Sequence, residues 1–371
     1  MMKYFGFSLG FTAVALGLGA WLGWAQTHTV SGMLGILWIC SVLAVLEVSL
    51  SLDNAAVNAS VLKDMDPVWQ RRFLTWGIAI AVFGMRIVFP LVIVAIAAKL
   101  GPIDAVVLAI ERPDEYSRIL TDAHVGLMGF GGAFLGMVGL GFFFNADKEV
   151  HWIGALERAL QKLGSLKSIE LGFMLLVIWL ISSLLPLEES HTFLVAGVSG
   201  LVAFIAVDML GHAMEAPDET TGAVAKSGLA SFLYLEVLDA SFSFDGVIGA
   251  FALSTNLFVI AIGLGIGAMF VRSMTIYLVD RGTMSEYRFL ESGAFWAIIA
   301  LATIMLVSVK VHIPEVITGL IGAVLIGLAF WSSVRWNREH PDADEPPLPL
   351  ASSAPPSDVA APASGAPSAR T

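Results

Sequence analysis

The chain has 371 residues, of which 57% are hydrophobic and only 14% are charged, and its mean hydropathy is +0.81. Soluble domains average about 25% charged residues, so this composition indicates a polytopic membrane protein. The net charge of −11 argues against nucleic acid as a partner, because Lys and Arg lie mostly in short loops. The single cysteine excludes an internal disulfide and argues against a thiolate metal cage.

Ten apolar windows are long enough to cross the roughly 30 Å of a bilayer core as helices. They lie at residues 4–24, 31–60, 73–98, 125–145, 169–186, 192–212, 228–253, 257–279, 289–309 and 314–334. The first window, which follows Lys3 and ends in Gly23-Trp24-Ala25, also resembles a signal peptide. We expect it to be a retained helix, because the internal repeat of the chain needs ten helices.

The second and seventh windows contain the same acidic pattern. Residues 47–54 read EVSLSLDN and residues 239–246 read DASFSFDG, so both follow acid-x-Ser-apolar-Ser-apolar-Asp. A carboxylate at membrane depth costs several kcal/mol by rough estimates and usually marks a functional path. Two related copies of such a pattern are poorly explained by chance.

The duplication extends beyond the acidic stretch. Three further pairs of segments match: residues 77–86 with 263–272, residues 132–134 with 293–295, and Glu170 with Glu315. The halves therefore correspond helix for helix, 1–5 with 6–10. An odd number of helices in each half turns the two copies in opposite directions, which is the plan of many secondary transporters.

The sequence thus predicts an all-α, polytopic membrane protein of about ten transmembrane helices in two inverted five-helix repeats. Residues 1–168 would form helices 1–4 of the first repeat with a cytoplasmic loop, and residues 169–190 the fifth helix that closes it. Residues 191–336 would form the second repeat. Residues 337–371 are rich in Pro, Ala and Ser without apolar periodicity, which predicts a disordered cytoplasmic tail.

Loop charge predicts the orientation. With ten helices, both termini share a side with the loops after helices 2, 4, 6 and 8, and this side holds fourteen of the 20 Lys and Arg residues. The opposite side holds only Lys99, Arg112, Arg118 and Lys310. Because positive loops stay inside, we expect both termini in the cytoplasm.

The acidic segments carry oxygen ligands at helical spacing. On a continuous helix one stripe of the first copy holds Glu47, Ser51, Asn54 and Asn58, with Ser49 and Asp53 on a neighbouring face. The second copy has Glu236, Asp239, Ser243 and Gly246 on the stripe, with Ser241 and Asp245 beside it. Carboxylate, hydroxyl and amide oxygens suit Mg²⁺, Mn²⁺ or Ca²⁺. Asn54, Gly246 and Gly249 are the expected places for a helix break.

Arg86 and Arg272 are the counter-charges within the membrane, and simple pairing with them would give the acids a structural role only. Four embedded acids against two arginines leave a negative surplus, which a cation site needs unless two acids are protonated. We expect metal ligation by Asp53, Asp245, Glu47, Asp239, Asn54, Ser51 and Ser243, gating or charge pairing by Arg86 and Arg272, and further candidate ligands in Glu236, Asn58, Ser49 and Ser241. No permanently bound cofactor is expected.

The segments 47–54, 69–77 and 232–246 resemble the DUF475 branch of the TerC membrane proteins, a likeness that covers roughly residues 30–330. The wider TerC group belongs with LysE-like transporters, includes bacterial manganese exporters and has an older link to tellurium resistance. The resemblance implies that Asp53, Asn54 and Asp245 lie on a cation path, with Glu47 and Asp239 beside them. Gly246 stands where many TerC relatives carry Asn or Ser, which implies one ligand fewer and leaves the metal open.

We therefore expect an exporter of Mn²⁺ or a similar divalent cation in the bacterial inner membrane, coupled to proton antiport, with lipid and the metal as its partners. The alternatives are a LysE-like exporter of another small solute and a non-transporting component of a membrane complex linked to tellurium or metal stress. An enzyme is not expected. An intramembrane aspartyl protease would also use two embedded Asp residues, but neither Asp53 nor Asp245 follows Gly-x-Gly.

Overall fold

Long apolar runs between polar loops fold as helices, because a helix satisfies its own backbone hydrogen bonds in lipid. The fold comes from a computed structural model, which describes residues 2–77, 79–166, 168–213, 228–251, 253–311 and 313–340. Within those ranges the chain contains helices and no strand. The predicted all-α, polytopic class is confirmed.

The helices are α1 (Met2–Thr27), α2 (Val30–Leu50), α3 (Leu52–Leu62), α4 (Pro67–Arg72), π1 (Phe73–Gly77), π2 (Ile80–Val88), α5 (Phe89–Ala97), α6 (Pro102–Glu111), α7 (Pro113–Asp122), α8 (His124–Phe144), α9 (Gly154–Leu163), α10 (Ile169–Ser183), α11 (Leu187–Ala213), α12 (Gly228–Phe251), α13 (Leu257–Asp280), α14 (Thr283–Glu286), α15 (Leu290–Ser308) and α16 (Glu315–Glu339).

Over the described residues each of the ten apolar windows is mainly helical, but not all are long and apolar enough to cross a membrane alone. In the part of the chain that the structure describes, seven helices meet that test, namely α1, α2, α8, α11, α13, α15 and α16. The segments Pro67–Gly77 and Val82–Ala97, bent by 45°, would together make an eighth. Of the other two windows, α10 has only 15 residues, and α12 carries Glu236, Asp239 and Asp245 along its length.

Small residues bring α13 close to α2. A Cβ atom added at Gly263 would lie 2.6 Å from Cβ of Leu43, and one added at Gly267 would overlap Cβ and Cγ of Glu47. Glycine therefore allows close helix contact, as at many membrane helix interfaces. This contact buries Glu47 at only 3% exposure. On the other face, α1 packs on α13, where the Ser8 hydroxyl lies 2.7 Å from the carbonyl of Met269.

Helices that the sequence repeat is expected to pair make related contacts. In the first half α10 packs on α8, and in the second half α16 packs on α15. Likewise α2 packs on α13, and α12 packs on π2. The two central partners α8 and α15 pack on each other. As a result α12, with the second acidic segment, contacts both α2 and α3, which carry the first.

Several segments expected as loops contain short helices. Pro102 and Pro113 open α6 and α7, where the missing N–H of proline costs nothing. In α9, the buried Glu157 accepts hydrogen bonds from Lys148, from the backbone N–H groups of Trp152 and Ile153 at 3.1 Å, and from the Trp296 indole at 2.9 Å. These bonds tie the loop between α8 and α10 to α15.

The C-terminal boundary differs slightly from the prediction. Helix α16 continues to Glu339, so its last turn includes residues 337–339, which were expected to begin the tail. The rest of the predicted tail, residues 341–371, lies outside the described residues.

Candidate cation site

The first acidic segment bends at Ser51. Helix α2 ends at Leu50 and α3 begins at Leu52, and Ser51 between them has φ −107° and ψ 20°. The backbone N–H of Ser51 still reaches the Glu47 carbonyl at 3.0 Å, so the helix bends without unwinding. A break is expected at Asn54, and the observed break at Ser51 comes three residues before it. The second copy has no such break between Gly228 and Phe251.

The stripe expected from helical spacing is buried, since Glu47, Ser51, Asn54 and Asn58 are each at most 7% exposed. Ser51, Asn54 and Asn58 line a cavity of about 40 Å³, together with Asp239, Arg86 and Arg272. Side chains of π1 and α13 complete its walls. One water needs about 10–15 Å³ of such volume, so the cavity has room for a few waters or a partly hydrated ion.

Glu47 and Arg86 form an ion pair beside this cavity, with side chains only 3% and 4% exposed. Ser51 donates a hydrogen bond to the same carboxylate oxygen at 3.3 Å. The other oxygen of Glu47 faces α12, where a Cβ atom at Gly246 would lie 3.1 Å away. Glycine at position 246 therefore leaves room for a carboxylate from the first half.

Asp239 is the carboxylate on the cavity wall itself. The side chains of Asn58 and Asn54 are hydrogen bonded to it, so their amide N–H groups point towards α12. The second acidic segment thus meets the first through Asp239. These contacts join residues from both halves of the chain around one cavity.

The amide oxygens of Asn54 and Asn58 are the strongest indication that the site takes a ligand. Both are buried, and neither has a hydrogen-bond partner within the described residues. Leaving a buried acceptor unsatisfied costs about 1–3 kcal/mol, so such atoms call for a ligand or water. Asn54, Asn58 and Asp239 all line the cavity, so its walls are formed by residues with oxygen donors of the kind that a hard cation prefers.

Arg272 contacts a backbone carbonyl. Its Nε donates to the Leu74 oxygen at 2.9 Å, and its terminal nitrogen donates to the same atom. Arg272 also lines a second, outer cavity of about 630 Å³, whose walls include Lys3, Thr75 and Asp280. The guanidinium group therefore lies between the small inner cavity and the larger outer one.

Asp53 lies away from this cavity. It is 6% exposed, accepts the backbone N–H of Asn54 at 2.9 Å, and faces Gly322 of α16, where an added Cβ would lie 3.3 Å from its carboxylate. Ser49 is exposed, and its hydroxyl donates to the Val45 carbonyl of its own helix. The backbone of Asp245 lies in α12, but its side chain is outside the described part of the structure.

The remaining candidates also lie on α12 but are not among the residues that line the inner cavity. Both oxygens of Glu236 are buried without a partner among the described residues, and Oε1 lies against Gly77. Ser241 donates to the Val237 carbonyl at 2.9 Å and, with Glu236, lines a third cavity of about 290 Å³. The Ser243 hydroxyl is buried and has no partner in the described part of the chain.

The described acids of the two acidic helices outnumber the arginines that pack near them. Glu47, Asp53 and Glu236 are buried and Asp239 is half-buried, whereas the bases are the buried Arg86 and the half-buried Arg272, so carboxyl groups exceed guanidinium groups by two. Over the same residues, no three His, Cys, Asp or Glu side chains are grouped so that they could hold a metal ion. A cation in the inner cavity would therefore depend on amide oxygens as well as on Asp239.

Sequence reasoning missed the contribution of π1. Leu74 offers only a backbone oxygen, which side-chain patterns do not reveal. Gly77 gave one indirect signal, because it matches Gly263 in the repeat. Glycine at this position leaves space for Glu236, since an added Cβ would lie 3.1 Å from its carboxylate.

A family model described as "Protein of unknown function (DUF475)" matches residues 52–340. The matched range includes Asn54, Asn58, Arg86, Asp239 and Arg272, and it begins just after Glu47 and Ser51. No curated protein and no solved structure matches the chain.

Proposed function

We infer the function of this chain from its cavity, because the chain belongs to the DUF475 family, whose description names no activity. We propose that it is a transporter of a divalent metal cation, Mn²⁺ or an ion of similar chemistry, which it exports from the cytoplasm across the bacterial inner membrane. One observation carries the proposal: Asn54 and Asn58, whose amide oxygens are buried without a partner among the described residues, line one small cavity together with Asp239.

Charge and size favour a small cation over an anion or an organic solute. An anion needs free N–H donors, whereas Arg86 is paired with Glu47 and Arg272 donates to the Leu74 carbonyl. Pockets for small organic molecules usually measure about 300–1,000 Å³, and the inner cavity measures about 40 Å³. The runner-up, a LysE-like exporter of another small solute, would need a much larger inner cavity.

The choice of Mn²⁺ among divalent cations rests on chemistry and on resemblance. Carboxylate and amide oxygens suit Mg²⁺, Ca²⁺ and Mn²⁺ alike. The acidic segments around Asp53 and Asp239 resemble those of TerC proteins, a group that includes manganese exporters, and this favours Mn²⁺. The inverted repeat expected from the sequence agrees with a carrier that alternately opens its two sides.

In the proposed cycle, the cation enters from the cytoplasm through the outer cavity. Arg272 stands eight residues before Asp280 at the end of α13, about 12 Å along the helix at 1.5 Å per residue. The Arg272 side chain would have to leave the Leu74 carbonyl before the ion could pass. The cation would then bind Asp239 with the oxygens of Asn54 and Asn58, and rocking of the two halves would open the other side.

The other residues of the site have supporting parts in this proposal. The Glu47–Arg86 pair fixes the end of α2 against π2, next to the bend at Ser51. A bend in the helix and a π-helical neighbour are features that often accompany functional sites. No enzymatic reaction is proposed. A non-transporting role in metal or tellurium stress would not explain why the amide oxygens of Asn54 and Asn58 are buried without hydrogen-bond partners among the described residues.

Flux through purified protein in liposomes tests the proposal. Vesicles that contain a metal-sensitive dye are exposed to Mn²⁺, Mg²⁺, Ca²⁺ and Zn²⁺ in turn. We expect Mn²⁺ flux through the wild type and its loss in Asp239→Asn, while Glu189→Gln, which also replaces a carboxylate by an amide but at an exposed residue, keeps the wild-type rate. Absence of flux for every cation, or an unchanged rate in Asp239→Asn, would contradict the proposal.

A further inference from the structure

Glu236 is a buried carboxyl group without a hydrogen-bond partner. It lies on α12 and is 9% exposed, and both of its oxygens lack a partner within the described ranges. The absence of a side chain at Gly77 creates its space, because a Cβ there would lie 3.1 Å from Oε1. Glu236 is not among the residues that line the inner cavity.

The groups around Glu236 disfavour a negative charge. The neighbouring cavity brings it together with Met85 of π2, Phe89 of α5 and Phe130 of α8, none of which can neutralise a carboxylate. The nearest charged residue along its own helix is Asp239, which is also acidic. An ionised carboxylate in such surroundings costs several kcal/mol, so the group holds a proton or meets a cation.

Only one of the two acidic segments is preceded by an acid at the position of Glu236. Glu236 stands three residues before Asp239, which is about one helical turn, so the two side chains are neighbours on α12 at roughly 5–6 Å between Cβ atoms. The corresponding position before Glu47 is Ala44. The second half therefore has one more acid than the repeat requires, next to the carboxylate of the cavity.

We propose that Glu236 carries the proton that the protein exchanges for the cation, an inference that rests on the proposed function. With the cavity empty, Glu236 holds its proton because its carboxyl group lies among apolar side chains without a partner within the described ranges. A divalent cation at Asp239 repels that proton, the O–H bond breaks, and the proton leaves to water on the cytoplasmic side. After the cation leaves on the other side, Glu236 takes a proton from there, so that the proton moves against the cation.

Proteoliposomes with wild type, Glu236→Gln and Glu189→Gln separate coupling from cation binding. Two rates are measured: exchange of radiolabelled Mn²⁺ for unlabelled Mn²⁺ at equal pH, and Mn²⁺ transport driven by a pH gradient with proton flux followed by a dye. We expect Glu236→Gln to keep the exchange and to lose both gradient-driven transport and proton flux. Glu189→Gln should behave as the wild type, and Glu236→Asp, which keeps a carboxyl group, should retain proton flux.

Each contrary result is distinct. Undiminished proton flux in Glu236→Gln, or loss of the exchange as well, would overturn the assignment of Glu236. Mn²⁺ transport without proton flux in the wild type would overturn it and leave the proposed function standing, whereas absence of Mn²⁺ transport would overturn both. Infrared spectroscopy adds a test without transport: the protonated carboxyl band of the wild type should lose intensity both in Glu236→Gln and on addition of Mn²⁺. Its absence from the wild type would contradict the inference.

Discussion

Neutralising Glu47 should leave a buried guanidinium group without its ion-pair partner. Glu47→Gln keeps the shape of the side chain against Gly267 but removes the negative charge that faces Arg86. Both side chains are at most 4% exposed, so solvent does not screen the change. Breaking such a buried pair costs about 3–5 kcal/mol. The mutant should therefore be much less stable than the wild type.

A double-mutant cycle separates this effect from lost packing. Arg86→Met removes the charge on the other side, and in the double mutant neither charge remains. Replacing both members of a buried pair is often close to neutral, so the double mutant should be more stable than Glu47→Gln alone. Coupled residues in contact show interaction energies of about 0.5–3 kcal/mol, and we expect a value at the upper end.

Thermal unfolding can be followed through Cys40. It is the chain's single cysteine and is fully buried, so a thiol-reactive dye will report unfolding. Domains of 150–250 residues lose roughly 2–4 °C of melting temperature per kcal/mol, and larger chains lose less, so we expect a drop of about 5–10 °C for Glu47→Gln. Additive effects of Glu47→Gln and Arg86→Met would refute the reasoning, because they would mean that the two charges do not stabilise each other.

Three further predictions concern helix packing, the outer cavity and the loop between α8 and α10. Gly267→Ala should destabilise the protein by about 1–3 kcal/mol, because the added Cβ overlaps Glu47. Gly35→Ala should not, because no atom lies within 4 Å of the added Cβ. Thermal unfolding measures the stability of both mutants. A cysteine introduced at Ala268 in the inner cavity should react with a water-soluble thiol reagent faster when Arg272→Gln is also present. The pKa of Glu157 lies below its usual value: burial opposes this, but hydrogen bonds from Lys148, the Ile153 backbone and Trp296 outweigh it. Because the pKa of Glu157 is lower in the folded form, the unfolded form takes up the proton at a higher pH. The stability that ionised Glu157 contributes is therefore present above about pH 4.5 and is lost as pH falls through the folded pKa. Hydrogen exchange of α9 should rise over that acid range.

Controls decide these three tests. A cysteine at Thr75 in the outer cavity should react equally fast with and without Arg272→Gln, and Cys40→Ala removes the native thiol from the background. Equal labelling of Ala268→Cys in both backgrounds would show that Arg272 does not separate the cavities. For α9, Glu157→Gln should abolish the dependence on acid pH, and a persistent dependence would point to another group. Equal stability of Gly267→Ala and Gly35→Ala would contradict the close packing of α13 on α2.

Helical spacing predicted part of the candidate site and could not predict the rest. Glu47, Ser51, Asn54 and Asn58 fall on one stripe because residues four and three apart share a helix face, and the structure has them buried side by side. Asp53 is only one residue from Asn54, but a rotation of about 100° at 3.6 residues per turn directs it to Gly322 of α16. Which neighbour meets which face depends on tertiary packing and not on spacing.

Helical spacing could not predict the contacts of the two arginines, for the same reason. Their position in the repeat predicts both Arg86 and Arg272 as counter-charges. Arg86 reaches Glu47 from a π-helix, whose extra residue per turn shifts the phase of every side chain after it. Arg272 bonds to a backbone oxygen, a partner that no side-chain pattern can indicate. The composition, in contrast, was sufficient for the all-α membrane class and for the ten helical windows.

An anomalous difference map from crystals soaked in Mn²⁺ would test the central claim most directly. We predict a peak in the inner cavity within coordination distance of Asp239 and of the amide oxygens of Asn54 and Asn58, and no such peak in Asp239→Asn. A peak only beside Asp53, or an empty cavity in protein that transports Mn²⁺, would contradict the account.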